Sequence, residues 1–410
     1  MKIFSIALIV LLFAGCSVKQ EPHVQEEKTA VEKQSSSQIE PQPEIEPKVE
    51  EPKVKVEEKK IKEKVRFKKF SKALLEKLSW EELESFTQDD LFQAMETFKK
   101  DCRASKRKLL LKEVCKKASG SDDSTQFFLE NFYPYKLVNN DGSDQGLITG
   151  YYEPVLKGSL TKSEQFQHAV YKTPSNIITV DTREFPQLKG LRIRGKVVGN
   201  KLVRYTERKD MEQERNLEPI CFVENEIDLF FMHIQGSGKV QLEDGKVINV
   251  NYASQNGRGY YAIGKELIKR KEISKQGMSL QAIKKWLIEN PKEIRDILNL
   301  NKSYIFFKEG NKGATGALGT QLIAQRNIAV DRRYIPLGLP VFVQTTNPVS
   351  DQPINQLMVA ADVGGAIKGK IRADFYWGTG DSAGEVAGRM KEKGTLTVLL
   401  PKEIIDAYNQ

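Results

Sequence analysis

The chain has 410 residues, which is enough for two or three domains and a sizeable core. Its formal net charge of +9 is spread along the chain and would suit an anionic polymer. Only three histidines are present, and no pair of them has metal-ligand spacing, so a histidine-rich metal centre is not expected.

The first residues are typical of an export signal. Lys2 is followed by a mostly apolar run from Ile3 to Gly15, and then by Cys16. Thirteen such residues are too few to span a bilayer, which needs about 20. Small residues before a cysteine resemble the signal of a bacterial lipoprotein, in which that cysteine is acylated. Residues 1–16 are therefore predicted to be a lipoprotein signal with Cys16 as the lipidation site. An ordinary cleaved signal peptide is the alternative.

A polar region follows over residues 17–65, without any aromatic residue or glycine. It is dominated by Glu, Lys, Pro, Val and Gln, and it cannot bury enough apolar surface to offset the entropy of ordering. The composition predicts a disordered tether that extends to about 160 Å and lets a folded part reach away from a membrane. Both signs of charge alternate along it, so nucleic-acid binding is not expected.

The rest of the chain predicts helices first and strands afterwards. From about residue 67 to 119, apolar residues recur at helical intervals. Beyond residue 131, KVQLEDGKVINVNYA predicts a hairpin that turns at Asp244-Gly245, and SLQAIKKWLIEN predicts a helix capped by Ser279. LMVAADV, KIRADFYW and GTLTVLL are interpreted as strands, with a helix through SAGEVAGRMKEKG. Many short strands without regular alternation with helices predict a mainly β fold, rich in barrels.

Cysteines and glycine-rich stretches do not indicate a metal or nucleotide site. No cysteine pair has zinc-ligand spacing, and HIQGSGKV and GATGALGTQ lack the glycine spacing of nucleotide-binding loops. Cys102 and Cys115 flank a basic stretch in the helical region, and in an oxidising compartment they predict a disulfide that contributes about 2–3 kcal/mol. Cys221 lies far from both and is predicted to be a buried free thiol. No cofactor is expected.

The stretch GDSAG, residues 380–384, matches the nucleophile elbow of serine hydrolases. The order His233, Asp362 and Ser382 would suit a catalytic triad, so a serine hydrolase is one alternative. Glu385 follows Ser382 by three residues, which favours a capping box at the start of a helix. His233 lies in the apolar run LFFMHIQGSG, interpreted as a strand, where a hydrogen-bonded, half-buried histidine is expected.

Two other aspartates are candidates for acid catalysis. If KIRADFYWG is a strand, Asp374 shares the groove-facing side with Arg372 and Tyr376. Asp362 ends the preceding run, and the short connection GGAIKGK is expected to set the two strands side by side. A free aspartate has a pKa of about 3.9, which aromatic walls or a second carboxylate would raise. In the alternative, Asp374 pairs with Arg372 or a lysine, and Asp362 caps the Gly-Gly turn.

Six stretches between residues 146 and 401 keep one order along the chain. They are LITGYYEPVL, IQGSG, YASQNGRGYYAIGKELI, YIFFKE, IAVDRRYIPLG and DVGGAIKGKIRADFYWG. The last is similar to the motif of the three-aspartate (3D) domain. Together the six resemble the family of the membrane-bound lytic murein transglycosylase A (MltA), and such an ordered set of motifs is highly specific.

The resemblance implies a fold of two β-rich domains. A double-psi β-barrel would be built from residues 66–153, which include the N-terminal helices, and from residues 308–410, which form the 3D domain. Residues 154–307 would form an inserted β-barrel domain. A substrate groove would lie between the two domains.

The resemblance also implies an activity, which is cleavage of peptidoglycan glycan strands between N-acetylmuramic acid (MurNAc) and N-acetylglucosamine (GlcNAc), with a 1,6-anhydro ring in the product. The single catalytic aspartate of the family matches Asp374, and Asp362 matches a residue that helps to shape the site. Six residues match positions expected in or near the groove: Thr149, Tyr151, Gln235, Ser237, Asn256 and Tyr260. A hydrolase with Asp362 as the second carboxylate, and a non-catalytic, expansin-like wall-binding protein, are the alternatives.

Peptidoglycan is therefore the expected partner, and an exported protein is not expected to meet nucleic acid. The membrane is a second partner, through the lipid on Cys16. Ser17 stands where some bacteria place the aspartate that retains lipoproteins in the inner membrane. The periplasmic side of the outer membrane is the expected location, a monomer is the expected state, and other cell-wall enzymes are candidate partners.

Overall fold

The computed structural model describes residues 75–83, 85–105, 109–188, 191 and 193–409. The predicted signal with Cys16 and the predicted tether lie outside the described residues. The described part has a short first strand, then helices, and then strands with further helices, so the fold is mainly β with helices, as predicted.

Three helices lie near the start of the described chain: α1 (Leu91–Ser105), α2 (Lys112–Ala118) and α3 (Ser124–Asn131). Five apolar residues of α1 recur at helical spacing and are buried: Leu91, Ala94, Met95, Phe98 and Cys102. They share one hydrophobic core with the strands beneath them. A disulfide joins Cys102 to Cys115 and so links α1 to α2.

The helical prediction is wrong where the described residues begin. Leu75–Lys77 is strand β1, which pairs antiparallel with β2 (Phe132–Leu137). Pairing with the edge of an existing sheet outweighs the helical preference of so short a segment.

The larger sheet closes on itself. Its remaining strands are β3 (Gly146–Glu153), β13 (Asn327–Val330), β14 (Pro340–Thr346), β15 (Pro353–Asp362), β16 (Arg372–Thr379) and β17 (Lys391–Pro401). The order is β1-β2-β17-β14-β15-β13-β16-β3, and β17 also pairs with β3, which closes six strands into a barrel. The β13–β15 and β16–β3 pairs are parallel. A closed barrel built from segments on both sides of an insert is consistent with the predicted double-psi barrel.

Two more helices belong to the part of the chain that forms the barrel: α8 (Asp381–Arg389) and α9 (Lys402–Asn409).

The segment between β3 and β13 contains the second half of the fold. Six strands pair in the order β12-β11-β10-β4-β9-β5: β4 (Val155–Ser159), β5 (His168–Tyr171), β9 (Pro219–Val223), β10 (Ser237–Leu242), β11 (Val247–Gln255) and β12 (Ile305–Gly310). A bridge between Lys172 and Phe307 brings the first and last of these strands together. A small sheet stands apart: β6 (Ile178–Thr179), β7 (Arg194–Val198) and β8 (Lys201–Arg204). We call this half the insert.

Four helices complete the insert: α4 (Glu226–Gln235), α5 (Gly264–Lys269), α6 (Leu280–Glu289) and α7 (Ile294–Asn299). The predicted cap of α6 is confirmed, because Ser279 Oγ accepts a hydrogen bond from Ala282 N at 3.1 Å. The predicted hairpin of β10 and β11 is confirmed as well. Four residues, 243–246, join the two strands instead of two, with Gly245 in the left-handed region at a φ of 84°.

The stretch that contains His233 is a helix, and its interpretation as a strand is wrong. Phe230 and Phe231 on α4 pack into one hydrophobic cluster, whereas Leu229 and Met232 pack into another. A helix buried on two sides is apolar all round, so its sequence loses the periodicity that distinguishes a helix from a strand.

Candidate active site

Asp374 and Asp362 lie in one row across the barrel sheet. Asp374 on β16 is paired with Thr149 on β3 and with Ala329 on β13, and Ala329 is paired on its other side with Asp362 on β15. Paired residues point to the same face of a sheet, so both carboxyls project from one face, on strands whose backbones are about 10 Å apart. The predicted adjacency of the two aspartate-bearing strands is wrong, because the barrel topology places β13 between them.

Asp374 is held by side chains. The Thr149 hydroxyl donates a hydrogen bond to Asp374 Oδ1, and Arg372 Nη2 donates to the Thr149 oxygen at 2.8 Å. The guanidinium therefore reaches the carboxyl through the threonine. Asp374 is half-buried, and burial raises its pKa, while the charge of Arg372 and the hydrogen bond from Thr149 oppose the rise. The carboxyl consequently keeps its proton to a higher pH than a free aspartate does.

Asp362 is held by the backbone. Its Oδ1 accepts a hydrogen bond from Ala317 N at 2.9 Å, from the loop that precedes β13. Burial raises the pKa of Asp362 to about 6, and the negative charge of Asp374 adds to the rise, whereas the N–H groups of Val363 and Ala317 oppose it. One of these donors comes from a distant loop, and the other from the residue that directly follows Asp362.

Two tyrosines pack beside the carboxyls. The rings of Tyr151 and Tyr376 lie 5.1 Å apart, and both side chains are buried, although the sequence predicted a groove-facing Tyr376. Burial and then the charges of Asp362 and Asp374 raise the pKa of Tyr151 well above its usual range. Its hydroxyl lies near Asp362 but makes no hydrogen bond of ordinary geometry with the described residues. An undissociated phenol is therefore available to donate a hydrogen bond beside the two carboxyls.

Tyr260 approaches Asp374 from the insert. It follows β11, and 46% of its surface is exposed. Partial burial raises the pKa of Tyr260, and the charge of Asp374 raises it further, so the phenol lies within electrostatic range of that carboxyl. The groove between the barrel and the insert stays a prediction, to which this residue of the insert contributes a phenol.

Gln235 and Ser237 lie where the insert meets the barrel. Gln235 ends α4, and its Oε1 accepts a hydrogen bond from Tyr152 N on β3 at 3.1 Å. Ser237 begins β10, is only 9% exposed and is paired with Asn251. Gln235 therefore ties the insert to the strand that carries Thr149, while Ser237 offers little surface to a ligand.

Asn256 does not face a groove, contrary to the expectation. Its side chain is fully buried. Its Nδ2 donates to the carbonyl oxygens of Thr206 and Lys302, both at 2.8 Å, and its Oδ1 accepts from Tyr304 N at 3.0 Å. Because both polar atoms of this side chain bond backbone groups, Asn256 positions the segment that leads to Tyr260.

The predicted capping box at Ser382 is wrong. Helix α8 begins at Asp381 with Gly380 as the N-cap, so Ser382 is the second residue of the helix, and its side chain is exposed. Glu385 forms an ion pair with Arg389 one turn later. The chain reaches its helical conformation through the left-handed Gly380, which leaves Ser382 two residues past the cap position.

The histidine of the serine-hydrolase alternative is enclosed. His233 is 3% exposed, its Nδ1 lies 3.0 Å from Arg208 Nη1, and its ring stacks on Phe307. Burial and then the charge of Arg208 lower its pKa well below the usual range. Since Ser382 is exposed on another element, the two side chains do not form a dyad.

Sequence patterns did not single out the loop that positions Asp362. Residues 311–326 join β12 to β13 and supply the Ala317 N–H. Thr320 Oγ1 in this loop donates to Asp101 Oδ1 at 2.5 Å, and Asn327 Nδ2 donates to Asp101 Oδ2 at 2.9 Å. Asp101 is fully buried on α1. The contacts join residues more than 200 positions apart, so no local pattern signals them.

An ion pair between barrel and insert was also missed. Glu153 on β3 is 1% exposed, accepts a hydrogen bond from Thr379 Oγ1 at 2.7 Å and lies 3.6 Å from Lys239 Nζ on β10. These groups line a cavity of about 160 Å³ next to Tyr376. The pair fixes the insert beside the face that carries Asp374.

The chemistry that these side chains offer is proton donation and acceptance. In the described part of the chain, no group of three or more His, Cys, Asp or Glu side chains is placed to hold a metal ion. Among the same residues, no helix is both long and apolar enough to cross a membrane.

Family models match two parts of the chain. The MltA specific insert domain matches residues 147–308, and the 3D domain matches residues 326–400. The second match contains Asp362 and Asp374, whereas the first begins on β3 near Thr149 and continues through the insert.

Known proteins resemble the chain over most of its length. The membrane-bound lytic murein transglycosylase A of Escherichia coli K12 is 32% identical over 291 residues, which cover 69% of this chain and 73% of that protein. The crystal structure of the membrane-bound lytic murein transglycosylase from Agrobacterium tumefaciens matches with a TM-score of 0.73 and 30% identity, over 82% of this chain and 99% of that one. The structure of Escherichia coli MltA with bound chitohexaose matches with a TM-score of 0.61 and 27% identity, over 76% and 90%. The resemblance of the motifs is thereby confirmed, and the chain belongs to the family of the membrane-bound lytic murein transglycosylase A.

Proposed function

We propose that the chain is a lytic transglycosylase, a lyase that cleaves the β-1,4 bond between MurNAc and GlcNAc in peptidoglycan and forms 1,6-anhydro-MurNAc. The names of the relatives support this activity, and the chitohexaose bound to the Escherichia coli protein supports a glycan ligand. One observation carries the proposal: Asp374 accepts a hydrogen bond from Thr149 and lies in one row with Asp362 on the same face of the barrel sheet, where burial raises its pKa.

In the first half of the reaction, Asp374 is the acid. Its raised pKa keeps a proton on the carboxyl, and that proton passes to the glycosidic oxygen as the bond from this oxygen to C1 of MurNAc breaks. GlcNAc leaves with the proton, and positive charge develops at C1. The carboxylate that forms on Asp374 is stabilised by the Thr149 hydrogen bond and by the charge of Arg372.

In the second half, the same residue is the base. The Asp374 carboxylate takes the proton of the C6 hydroxyl while O6 of the same MurNAc attacks C1. The new O6–C1 bond closes the anhydro ring and Asp374 regains its proton, so no water is consumed. Asp362, with a pKa of about 6, is mostly ionised at pH 7, and its negative charge stabilises the positive charge at C1.

A hydrolase with two carboxylates is the second candidate, and the row of residues favours it over a serine hydrolase or a non-catalytic wall-binding protein. Asp362 and Asp374 lie on one face with a strand between them, and about 10 Å between backbones leaves room for a water molecule. In that mechanism Asp362 would activate the water, and the product would be a reducing MurNAc end.

Digestion of purified sacculi separates these functions. Mass spectrometry of the released muropeptides distinguishes anhydro ends from reducing ends, because they differ by one water. Anhydro ends support the proposal, and reducing ends contradict it in favour of the hydrolase. Binding to sacculi without release of soluble fragments would indicate an expansin-like wall-binding protein.

The proposal includes a lipid anchor at Cys16 and a position on the periplasmic side of the outer membrane, where the protein acts as a monomer. The words "membrane-bound" in the names of the relatives support an anchor. Expression of Cys16→Ser tests it: the unsubstituted protein should sediment with outer-membrane vesicles, whereas the variant should not. Equal sedimentation of both would contradict the anchor at this residue.

A further inference from the structure

The insert has a groove whose lining residues do not include the row of carboxyls. It lies between the β7–β8 hairpin and the 3-10 helix at Arg208–Gln213, and its volume is about 910 Å³. Six cationic side chains line it: Lys196, Arg204, Lys209, Arg215, Arg258 and Lys302. Three acidic side chains line it as well: Glu207, Asp210 and Glu214. We call it the basic groove, because its lining has three more positive than negative charges.

Ion pairs within the basic groove leave positive charge without a partner. Glu207 is shared by two cations, since Arg258 Nη1 and Lys302 Nζ each lie 3.1 Å from its Oε1. Each of the other two acids has one lysine within 4 Å. Arg204 and Arg215 are exposed, and their side chains form no hydrogen bond or ion pair with any described residue. Two guanidinium groups are therefore free to bind a ligand.

The segment 256–260 joins the basic groove to the candidate active site. Asn256 bonds the backbone of Thr206 and Lys302, which both line the groove, and Arg258 lines it directly. Tyr260, two residues farther along, lies within range of Asp374. Two residues span at most about 7 Å of chain, so a group that branches from a sugar bound beside Tyr260 can enter the groove.

We propose that the basic groove binds the peptide stem that branches from a MurNAc unit of the glycan strand, an inference that rests on the proposed function. The free carboxylates of a stem suit Arg204 and Arg215, because a guanidinium binds a carboxylate through two parallel hydrogen bonds. The methyl groups of its alanines suit Val197 and Val198, which line the groove and are 59% and 55% exposed. A stem of four residues reaches about 13 Å when extended.

An anionic membrane surface is the competing partner for a basic region on a protein of this kind. Such a surface presents a continuous layer of negative charge to a convex or flat protein face. The basic groove is concave, and a third of its charged side chains are acidic. A lining with both signs of charge favours a ligand that carries an amine as well as carboxylates, which describes a stem peptide better than a lipid layer.

The double substitution Arg204→Gln with Arg215→Gln tests the inference. Both side chains are exposed and without described partners, so the fold should be unchanged. Two substrates are compared: glycan strands with their stems, and the same strands after an amidase has removed the stems. We expect kcat/KM on stem-bearing strands to fall roughly 10-fold, mainly through KM, with no change on stripped strands. The control, Lys162→Gln with Lys275→Gln, removes two charges from exposed lysines of the insert outside the groove and should change neither value.

Two results for the double variant would overturn the inference: an equal loss of kcat/KM on both substrates, or no loss of kcat/KM on stem-bearing strands. Loss of binding to vesicles of anionic phospholipid, with the preference for stem-bearing strands intact, would assign the groove to the membrane instead. If the unsubstituted protein cleaves neither substrate, the proposed function fails, and titration with the isolated tetrapeptide stem decides the inference separately. The inference is supported if the unsubstituted protein binds the tetrapeptide and the double variant does not. It is overturned if the unsubstituted protein does not bind the tetrapeptide.

Discussion

The surroundings of Asp374 and Asp362 differ, although both carboxyls belong to one row and both have a raised pKa. Asp374 is bound by the Thr149 hydroxyl, and Asp362 is bound by the backbone N–H of Ala317. A hydroxyl rotates about its C–O bond and accommodates either protonation state of its partner. A backbone N–H is a fixed donor, and it favours the charged form of the carboxyl at all times.

The difference assigns separate roles to the two residues. A residue that gives up a proton and takes one back needs a partner that adjusts within each turnover, which suits Asp374. A carboxyl held by a loop keeps its position and offers a constant negative charge, which suits Asp362. Substitutions around Asp374 and substitutions around Asp362 should therefore have effects of different size and kind.

The largest effect is expected for Asp374→Asn. The amide keeps the shape of the side chain but cannot transfer a proton, so the rate of muropeptide release should fall by about 10³-fold. An unchanged thermal melting temperature would show that the variant is folded. A variant that retains more than a tenth of the activity would remove Asp374 from the role of acid.

A smaller loss, roughly 10- to 100-fold in kcat, is expected for Asp362→Asn. The amide oxygen still accepts the Ala317 N–H, but the negative charge beside C1 is gone. The remaining product should still carry anhydro ends. If this variant is inactive while Asp374→Asn is active, the two roles are reversed, and a loss as large as that of Asp374→Asn would indicate a two-carboxylate hydrolase.

Thr149→Val should change the pH dependence. Activity requires protonated Asp374, so it declines as the pH rises through the pKa of that carboxyl. Thr149 stabilises the charged form and lowers this pKa, and its removal should move the alkaline limb of kcat/KM upward by roughly one pH unit. The control Thr395→Val loses a hydroxyl that bonds Gln344 elsewhere on the barrel, and its profile should match that of the unsubstituted protein. A downward shift for Thr149→Val would contradict the assignment.

On the other side of the row, Asp101→Asn should loosen the loop that holds Asp362. The amide group presents a donor to either Thr320 or Asn327, both of which donate to the carboxylate. We expect the free energy of unfolding to fall by about 1–3 kcal/mol and kcat to fall a few-fold. The exposed Glu113→Gln on the neighbouring helix is the control for a lost charge. Full activity of a destabilised Asp101→Asn would show that the loop does not control Asp362.

The smallest effect on activity is expected for the double variant Cys102→Ser with Cys115→Ser. The disulfide joins two helices of the N-terminal region and contacts neither carboxyl. Its loss should lower the free energy of unfolding by about 3 kcal/mol and leave kcat unchanged at a temperature where the variant is folded. Denaturant unfolding measures the first value. A changed kcat would mean that the helices influence the row of carboxyls more than Asp101 alone explains.

Features that depend on neighbouring residues could be predicted from the sequence. Ser279 caps a helix and accepts a hydrogen bond from the backbone N–H three residues later. The β10–β11 hairpin has alternating residues around a glycine. Along β16, side chains alternate between the core and the side that bears Asp374. These patterns have the period of a single element, which the amino-acid order expresses directly. They were sufficient to select Asp362 and Asp374 as candidates, and the resemblance of the motifs then favoured Asp374.

Other features depend on which distant segments the fold brings together. Thr149 lies 225 residues before its partner Asp374, and the donor to Asp362 comes from a loop 45 residues away. Asn256 matched a groove motif, yet its amide nitrogen donates hydrogen bonds to backbone carbonyl groups 46 and 50 residues away. No local period encodes such contacts.

The sequence by itself therefore determined the family, the mainly β class and the pair of carboxyls. Only the tertiary structure decided that β13 separates their strands, that Thr149 serves one carboxyl and Ala317 the other, and that Ser382 stands outside the site. The physical reason is that strand order and loop contacts follow from how the barrel closes and packs on the insert. The residues that specify that packing are spread over the whole chain.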